Sequence, residues 1–321
     1  MEKLLCGVDL GGTKLSTALI SQDGKIIEKI FDCNHVDKSE PFVIEQIAGN
    51  VKRLLRNSNL DESDLLGIGI GCAGHIRFKE GVLITTSNLK AFKNYPLRDA
   101  VQAYFKIPVI LDNDANAQAF GEFRFGGFTA HDSLIFLTLS TGIGAGIVLN
   151  HKLYRGATGT AGEFGHTIVD TQSDLVCTCG NRGCLMACAS GLALPQLFKK
   201  KLEAGMVSSL ELPASFNPSK ITGQFLKFGL DKGDPVSREI ILESARYVGI
   251  GIYNIFQALN PPLIVLGGGL TSWGDLYLDE IKRTFYEFAR DMIFDPIDIE
   301  LTRLGPDAGL LGAASLVLEP C

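Results

Sequence analysis

Leu4-Leu5-Cys6-Gly7-Val8-Asp9-Leu10-Gly11-Gly12-Thr13-Lys14 is the stretch on which the fold turns. Residues 4–9 are apolar up to a final aspartate, Gly11-Gly12 bends the chain, and residues 14–20 continue in extended form. Asp23-Gly24 then closes a hairpin onto 26–31. A strand ending in a carboxylate and two glycines has the traits of a phosphate cradle. The glycines let backbone N–H groups converge on an anion, Thr13 adds a hydroxyl donor, Lys14 a cation, and Asp9 a group that orients a hydrated Mg²⁺. The same residues also fit a hairpin turn whose glycines supply positive φ. The unit recurs: residues 133–139 are apolar, Ser140-Thr141-Gly142-Ile143-Gly144 turns, and 145–149 return. Two such loops suit a triphosphate gripped from both sides, and their repetition points to a duplicated fold.

Outward from these units, strands and helices mix. Apolar residues at Val43, Ile44, Ile47, Val51, Leu54 and Leu55 predict a helix over 41–56. Residues 66–70 and 108–111 read as buried strands, the second feeding a helix over 115–125. Further helices are expected over 192–201, 221–228, 234–259 and 276–290. A strand over 263–266 ends in Gly267-Gly268-Gly269, and the last helix covers 308–318. Residues 205–219, rich in serine, proline and small side chains, read as an ordered loop or a connector. This pattern indicates an α/β architecture, and 321 residues are too many for one core, so two domains are expected.

Apolar residues make up 46% and charged residues 21% of the chain, the balance of a soluble globular protein. A net charge of −6 and the lack of a basic run argue against a nucleic-acid surface. Lys199-Lys200-Lys201 reads as the solvated end of a helix. No apolar stretch is long enough to span a bilayer and no secretory signal opens the chain, so no membrane partner is expected and the location is cytoplasmic by default. In that compartment the eight cysteines are free or metal-bound rather than paired.

His166, Cys177, Cys179 and Cys184 are spaced H-x10-C-x-C-x4-C, with glycines between them to bend the chain. Four soft ligands in one short segment suit a tetrahedral zinc ion, and the mixed His/Cys set favours zinc over an iron–sulfur cluster; Cys188 is a rival fourth ligand. Such a clip would stiffen the polar loop that carries Glu163. Asp112-Asn113-Asp114-Ala115-Asn116 sits between a strand and a helix. One cap is needed there, and four Asn/Asp residues exceed it; a carboxylate at that place suits a general base. Gly267-Gly268-Gly269 permits close approach of a flat ring, or simply turns the chain. No G-x-x-x-x-G-K-[ST] occurs, and Gly69, Gly71 and Gly74 form a G-x-G-x-x-G followed by a hairpin over 75–81 rather than the helix a dinucleotide requires.

Together these residues resemble the ROK family of sugar kinases and related repressors, within the hexokinase/actin-like ATPase superfamily. The likeness is carried by Asp9-x-Gly-Gly-Thr-Lys14, Asn113-Asp114-Ala115-Asn116-Ala117, Gly162-Glu163-Phe164-Gly165-His166 and Cys177-x-Cys179-Gly180-x-x-Gly183-Cys184, and matching pieces run from Asp9 to Ala314. The resemblance implies a two-domain α/β fold of the actin-like ATPase (ribonuclease H-like) type that closes a cleft over ATP and a hexose. Residues 1–117 with a returning C-terminal helix, 306–321, would form one domain and 118–305 the other. It implies ATP-dependent phosphorylation of the sugar O6, with glucose as leading substrate. The alternatives are an N-acetylhexosamine (N-acetylmannosamine or N-acetylglucosamine), allose or fructose kinase, and a non-catalytic sugar-binding regulator. Asp114 matches the base that takes the O6 proton. Gly74, Asn88, Asn113, Glu163 and His166 match sugar-binding positions, with His166 holding zinc by one ring nitrogen and sugar by the other. Cys177, Cys179 and Cys184 match the other ligands of a structural zinc. Asp9, Gly11, Gly12, Thr13, Lys14, Thr141 and Gly142 match the phosphate loops that take ATP with Mg²⁺, and Gly268 and Gly269 the adenosine site. Members are usually homodimers or homotetramers. Repressor members carry an N-terminal helix-turn-helix, for which a phosphate loop at residue 9 leaves no room, so a kinase is expected.

Three departures from the family pattern stand out. Met186 follows Gly183-Cys184-Leu185 where a sugar-binding glutamate is usual, and a thioether cannot replace a charged acceptor, a loss of about 1.5–3 kcal/mol. Cys72-Ala73-Gly74 stands where Pro-Gly is common, and Ser140-Thr141 replaces Gly-Thr.

Overall fold

The computed structural model describes residues 2–12, 14–33, 38–86, 89, 91–212, 216–295 and 297–320. Two expected site residues, Thr13 and Asn88, lie outside them. The chain runs β1 (Leu4–Leu10), β2 (Lys14–Ile20), β3 (Ile26–Cys33), α1 (Glu40–Asn57), β4 (Leu65–Cys72), β5 (His75–Arg77), β6 (Val82–Thr85), α2 (Leu97–Gln102), β7 (Val109–Asn113) and α3 (Asp114–Phe125). It continues through β8 (Leu134–Leu139), β9 (Ile143–Leu149), β10 (Lys152–Leu153), α4 (Leu185–Ala189), α5 (Leu194–Glu203), α6 (Gly223–Asp231) and α7 (Pro235–Leu259). The last elements are β11 (Leu263–Gly267), α8 (Asp275–Ala289), β12 (Asp298–Leu301) and α9 (Ala308–Ser315). Two five-stranded sheets have the orders β3-β2-β1-β4-β7 and β10-β9-β8-β11-β12.

By compactness the chain forms two units, Met1–Phe136 with Gly146–Gly162 and Thr302–Cys321, and Leu137–Ala145 with Glu163–Leu301. The expected boundary at 117/118 falls inside α3, which stays whole in the first unit, and α9 belongs to that unit too.

In the first unit β1 pairs antiparallel with β2 and parallel with β4, and β4 is parallel to β7. One apolar cluster joins these strands to α1 through Val43, Ile44, Ile47, Val51, Leu54 and Leu55, the residues whose helical spacing marked them in the sequence. A second cluster joins Leu5, Ala18 and Ile20 to Leu310, Leu311 and Ala314 of α9. Here the glycines of the strands matter. A Cβ on Gly7 would lie 2.3 Å from the Leu310 carbonyl oxygen, and one on Gly69 would lie 1.8 Å from that of Ala313. On Gly71 it would lie 3.3 Å from the Ala117 Cβ of α3. Gly69 and Gly71 of the G-x-G-x-x-G spacing are therefore a bed for helices α9 and α3, while Gly74 lies against β6, where a Cβ would come within 2.5 Å of the Thr85 carbonyl. His75–Arg77 and Val82–Thr85 form the hairpin expected after it.

In the second unit α7 is capped by Asp234, which accepts from the Ser237 amide, and ends at Asn260 in the left-handed region. Its Gly249 admits Thr284 of α8, where a Cβ would come within 2.6 Å. Lys199, Lys200 and Lys201 on α5 each face a carboxylate, respectively Glu203, Asp174 and Glu243, which is the solvated helix end read from the sequence. Among the described residues, no helix is long and apolar enough to cross a membrane.

Candidate active site

In the first unit, Asp9 ends β1, Gly11 and Gly12 form the turn, and Lys14 opens β2. The Gly11 amide donates to the Lys14 carbonyl at 3.0 Å. Gly11 does not take positive φ; a Cβ there would sit 3.2 Å from the Lys14 oxygen. The turn therefore uses its first glycine for room rather than for a left-handed backbone, which corrects the bland hairpin reading at that residue. Gly309 of α9 comes so close that its Cβ would lie 2.5 Å from an Asp9 carboxylate oxygen. Burial, followed by the charge of Asp114, pushes the Asp9 carboxyl up to about 6, with Lys14 pulling the other way. Asp9 and Asp114 thus form a carboxylate pair at the mouth of the first sheet.

The polar run before α3 divides into separate tasks. Asp112 is buried and accepts from Arg155 Nε at 2.6 Å and from Asn116 Nδ2 at 3.0 Å. Burial pushes its carboxyl up against the pull of Arg155. Asn113 caps α3, its Oδ1 accepting from the amides of Ala115 (2.8 Å) and Asn116 (3.4 Å), while its Nδ2 donates to the Gly74 carbonyl at 3.0 Å. The structure so brings Asn113 and Gly74 together. Asp114 is the first residue of α3, half-buried, at the end of the helix that favours a negative charge. Gly146 of β9 lets this first turn pack closely, since a Cβ there would lie 2.6 Å from the Ala115 carbonyl.

In the second unit, Thr141 and Gly142 turn the chain between β8 and β9. The Ser140 carbonyl accepts from the Gly191 amide (2.8 Å) and that of Thr141 from Leu192 (3.0 Å). Gly268 follows β11 with φ 90° and would place a Cβ 2.4 Å from the Leu139 carbonyl, so only glycine serves there. Gly269 faces open space, at the wall of a cavity of about 260 Å³ lined by Ser140, Thr141, Gly191, Ile221–Gln224, Gly269 and Leu270. Trp273 Nε1 donates to the Gly223 carbonyl at 2.9 Å and pins the start of α6 to this wall. The sequence reading missed Ile221–Gln224 and Gly191, which present backbone and small groups without a chemical signature.

Glu163 precedes and His166 ends a single 3-10 turn, Phe164–His166, with His166 Nε2 3.9 Å from a Glu163 carboxylate oxygen. The other ring nitrogen, Nδ1, lies 3.4 Å from Cys177 Sγ, and Cys179 and Cys184 sulfurs are 3.7 Å apart. All four ligand atoms lie within 4.8 Å of one another. With metal–sulfur bonds of about 2.3 Å, sulfurs around a tetrahedral ion are separated by about 3.8 Å, so the donor set fits such an ion. Cys188 stands apart with Ser173, so the fourth donor atom of the cluster is that of His166. Gly183, at φ 68°, closes the loop: a Cβ there would overlap the Asp170 carbonyl at 1.8 Å. Met186, on α4 just after Cys184, accepts the Ile143 amide on its sulfur at 3.2 Å. Its tip also lies against Gly142 and Gly165.

The chain as a whole is similar to known proteins. The chain matches the model of the ROK family over residues 5–320. It is 33% identical to a glucokinase of Streptomyces coelicolor over 99% of this chain and 98% of that protein. It is 34% identical to a xylose repressor of Caldicellulosiruptor bescii over 98% of this chain and 78% of the repressor. The structure of a ROK glucokinase from Streptomyces griseus, in complex with glucose and AMPPNP, superposes with a TM-score of 0.79 at 31% identity, over 99% of this chain and all (100%) of that one. The mixed α/β architecture is accordingly the two-domain actin-like ATPase fold. On the family model and on these full-length likenesses, the chain belongs to the ROK family.

Proposed function

We propose that this chain, a glucokinase-like sugar kinase, transfers the terminal phosphoryl group of ATP to O6 of a hexose, with glucose as the first substrate. The observation that carries the reading is the start of α3. Of the acidic groups there, Asp112 is spent on a buried ion pair, whereas Asp114 is half-buried beside Asp9 at a glycine turn. Asp114 takes the O6 proton as that oxygen attacks phosphorus, and Asn113, Glu163 and His166 orient the sugar hydroxyls. Gly11, Gly12, Lys14, Thr141 and Gly142 hold the phosphates, and Gly268 and Gly269 the adenosine, in keeping with the cavity beside Gly269. Asp9 would orient Mg²⁺, which neutralises phosphate charge. His166, Cys177, Cys179 and Cys184 would hold a structural zinc that stiffens the Glu163 segment. Homodimers or homotetramers in the cytoplasm complete the reading.

One observation favours a second reading. With Met186 turned toward Ile143 and no carboxylate at that position, the preferred sugar is altered near C1 and C2, as in an N-acetylhexosamine or fructose kinase; an allose kinase, whose sugar differs from glucose at C3, is the further alternative. An ADP-release assay over a panel of hexoses separates these readings. Asp114→Asn is expected to lower turnover on the order of 10²–10⁴-fold or more while the fold persists, because an asparagine accepts no proton. Undiminished turnover in that variant removes Asp114 from its role.

A further inference from the structure

We infer that Glu319, beyond the final helix, positions the catalytic end of α3 through a buried chain of charges running from Glu319 to Arg155 to Asp112. The inference rests on Asp114 acting as the base, as proposed above. Arg155 holds Glu319 with both arms of its guanidinium, one of them at 2.9 Å, and reaches Asp112 through Nε at 2.6 Å. Side-chain exposure is 13% for Arg155, 11% for Glu319 and 2% for Asp112. Burial pulls the guanidinium down, but Glu319 and then Asp112 outweigh it and hold it firmly charged. The Leu153 amide donates to the same Glu319 oxygen at 3.0 Å, and the Phe78 ring lies 3.6 Å from the guanidinium carbon. Every member of this set belongs to the first unit.

The far end of the chain of charges is what gives it a role in the reaction. Asp112 Oδ1 accepts from the Asn113 amide at 2.7 Å and from Asn116 Nδ2 at 3.0 Å. These residues stand immediately before Asp114 and two positions after it, so Asp112 grips the turn on both sides of the base. Starting the helix does not require this grip, because Asn113 already caps α3. Two buried carboxylates share one guanidinium. Without the charge of Glu319, Arg155 is no longer anchored at its far end and its hold on Asp112 changes direction. The rate of a proton transfer is sensitive to ångström displacements of the base. Binding of nucleotide uses other groups, and binding of sugar draws on Glu163 and His166 as well as Asn113, so both are less sensitive to it.

The test compares Glu319→Gln, Glu319→Asp and Arg155→Lys with wild type in the ADP-release assay, alongside thermal melts. In Glu319→Gln, kcat is expected to fall roughly tenfold or more while KM for hexose and for ATP stays within about twofold, and Glu319→Asp restores most of the rate. Arg155→Lys, which offers one point charge in place of a fork, is expected to show the same split. A kcat within about twofold of wild type in both Glu319→Gln and Arg155→Lys, or a loss matched by the unfolded fraction in the melts, overturns the inference. Asp114→Asn measured in parallel separates the two proposals. If it is inactive while Glu319→Gln is unaffected, only the positioning role is lost, whereas activity in Asp114→Asn removes the base itself.

Discussion

Asp9 shows how burial can set a single side chain against the stability of the fold. Its carboxyl is pushed up to about 6, first by burial and then by the Asp114 charge. An unfolded chain releases the same proton near about 4. Between those values the folded chain binds the proton more tightly, so stability falls as pH rises through the window, and above it the ionised Asp9 costs about 3 kcal/mol. Asp9→Asn removes that cost. In magnesium-free buffer the variant is expected to melt higher than wild type at neutral pH, with the difference vanishing near about pH 4. Melts at the two pH values check this, and a variant less stable at both would show that Asp9 is not strained by its surroundings. The sequence placed Asp9 at a strand end and Asp114 between a strand and a helix, and both lie there in the structure. It could not distribute the run 112–116 among buried ion pair, helix cap and half-buried carboxylate, because Arg155 and Glu319 approach Asp112 only through the fold.

At the scale of elements, most strands and helices were legible because their apolar residues repeat at the helical or extended period, as the six inward residues of α1 do. The short pieces were not: α4 spans Leu185–Ala189 and β12 spans Asp298–Leu301, too short for a period to declare itself. The glycines were legible as positions and not as purposes, since their use is set by what packs on them. Gly69→Ala would drive a methyl group against the Ala313 carbonyl, 1.8 Å away, so α9 must lift from β4; a loss of about 3 kcal/mol or more and a clear drop in melting temperature are expected. Gly142→Ala meets only the flexible end of Met186 at 3.4 Å, an ordinary contact, and is expected to melt within about 0.5 kcal/mol of wild type. The segment from His166 to Cys184 holds itself by isolated bridges, Ile168 to Cys184 and Val176 to Arg182, rather than by a regular element. A bound ion would add rigidity to such a segment. Metal analysis is expected to find about one zinc per chain. Cys177→Ser is expected to lose the ion, and finding no metal in freshly purified protein would sink the clip.

For the molecule as a whole, the fold alone does not separate catalysis from sensing, since a glucokinase and a xylose repressor both match almost all of this chain. Sugar binding does not separate them either. Any ligand at a hundred times its dissociation constant raises the stability of the folded chain by about 2.7 kcal/mol, whether or not chemistry follows. The discriminating quantity is turnover. As the chain is a glucokinase-like sugar kinase, glucose with ATP is expected to release ADP steadily. Sugars differing at C1 and C2 are expected to compete more evenly than a carboxylate at position 186 would allow, because the sulfur there already accepts the Ile143 amide. Met186→Glu carries the point further. If that position faces the sugar, the new carboxylate supplies a charged acceptor worth about 1.5–3 kcal/mol, and KM for glucose falls by roughly tenfold or more. Panel kinetics on both proteins decide the matter: stabilisation by sugars without ADP release would identify a sensor, and an unchanged sugar profile in Met186→Glu would remove that position from substrate choice.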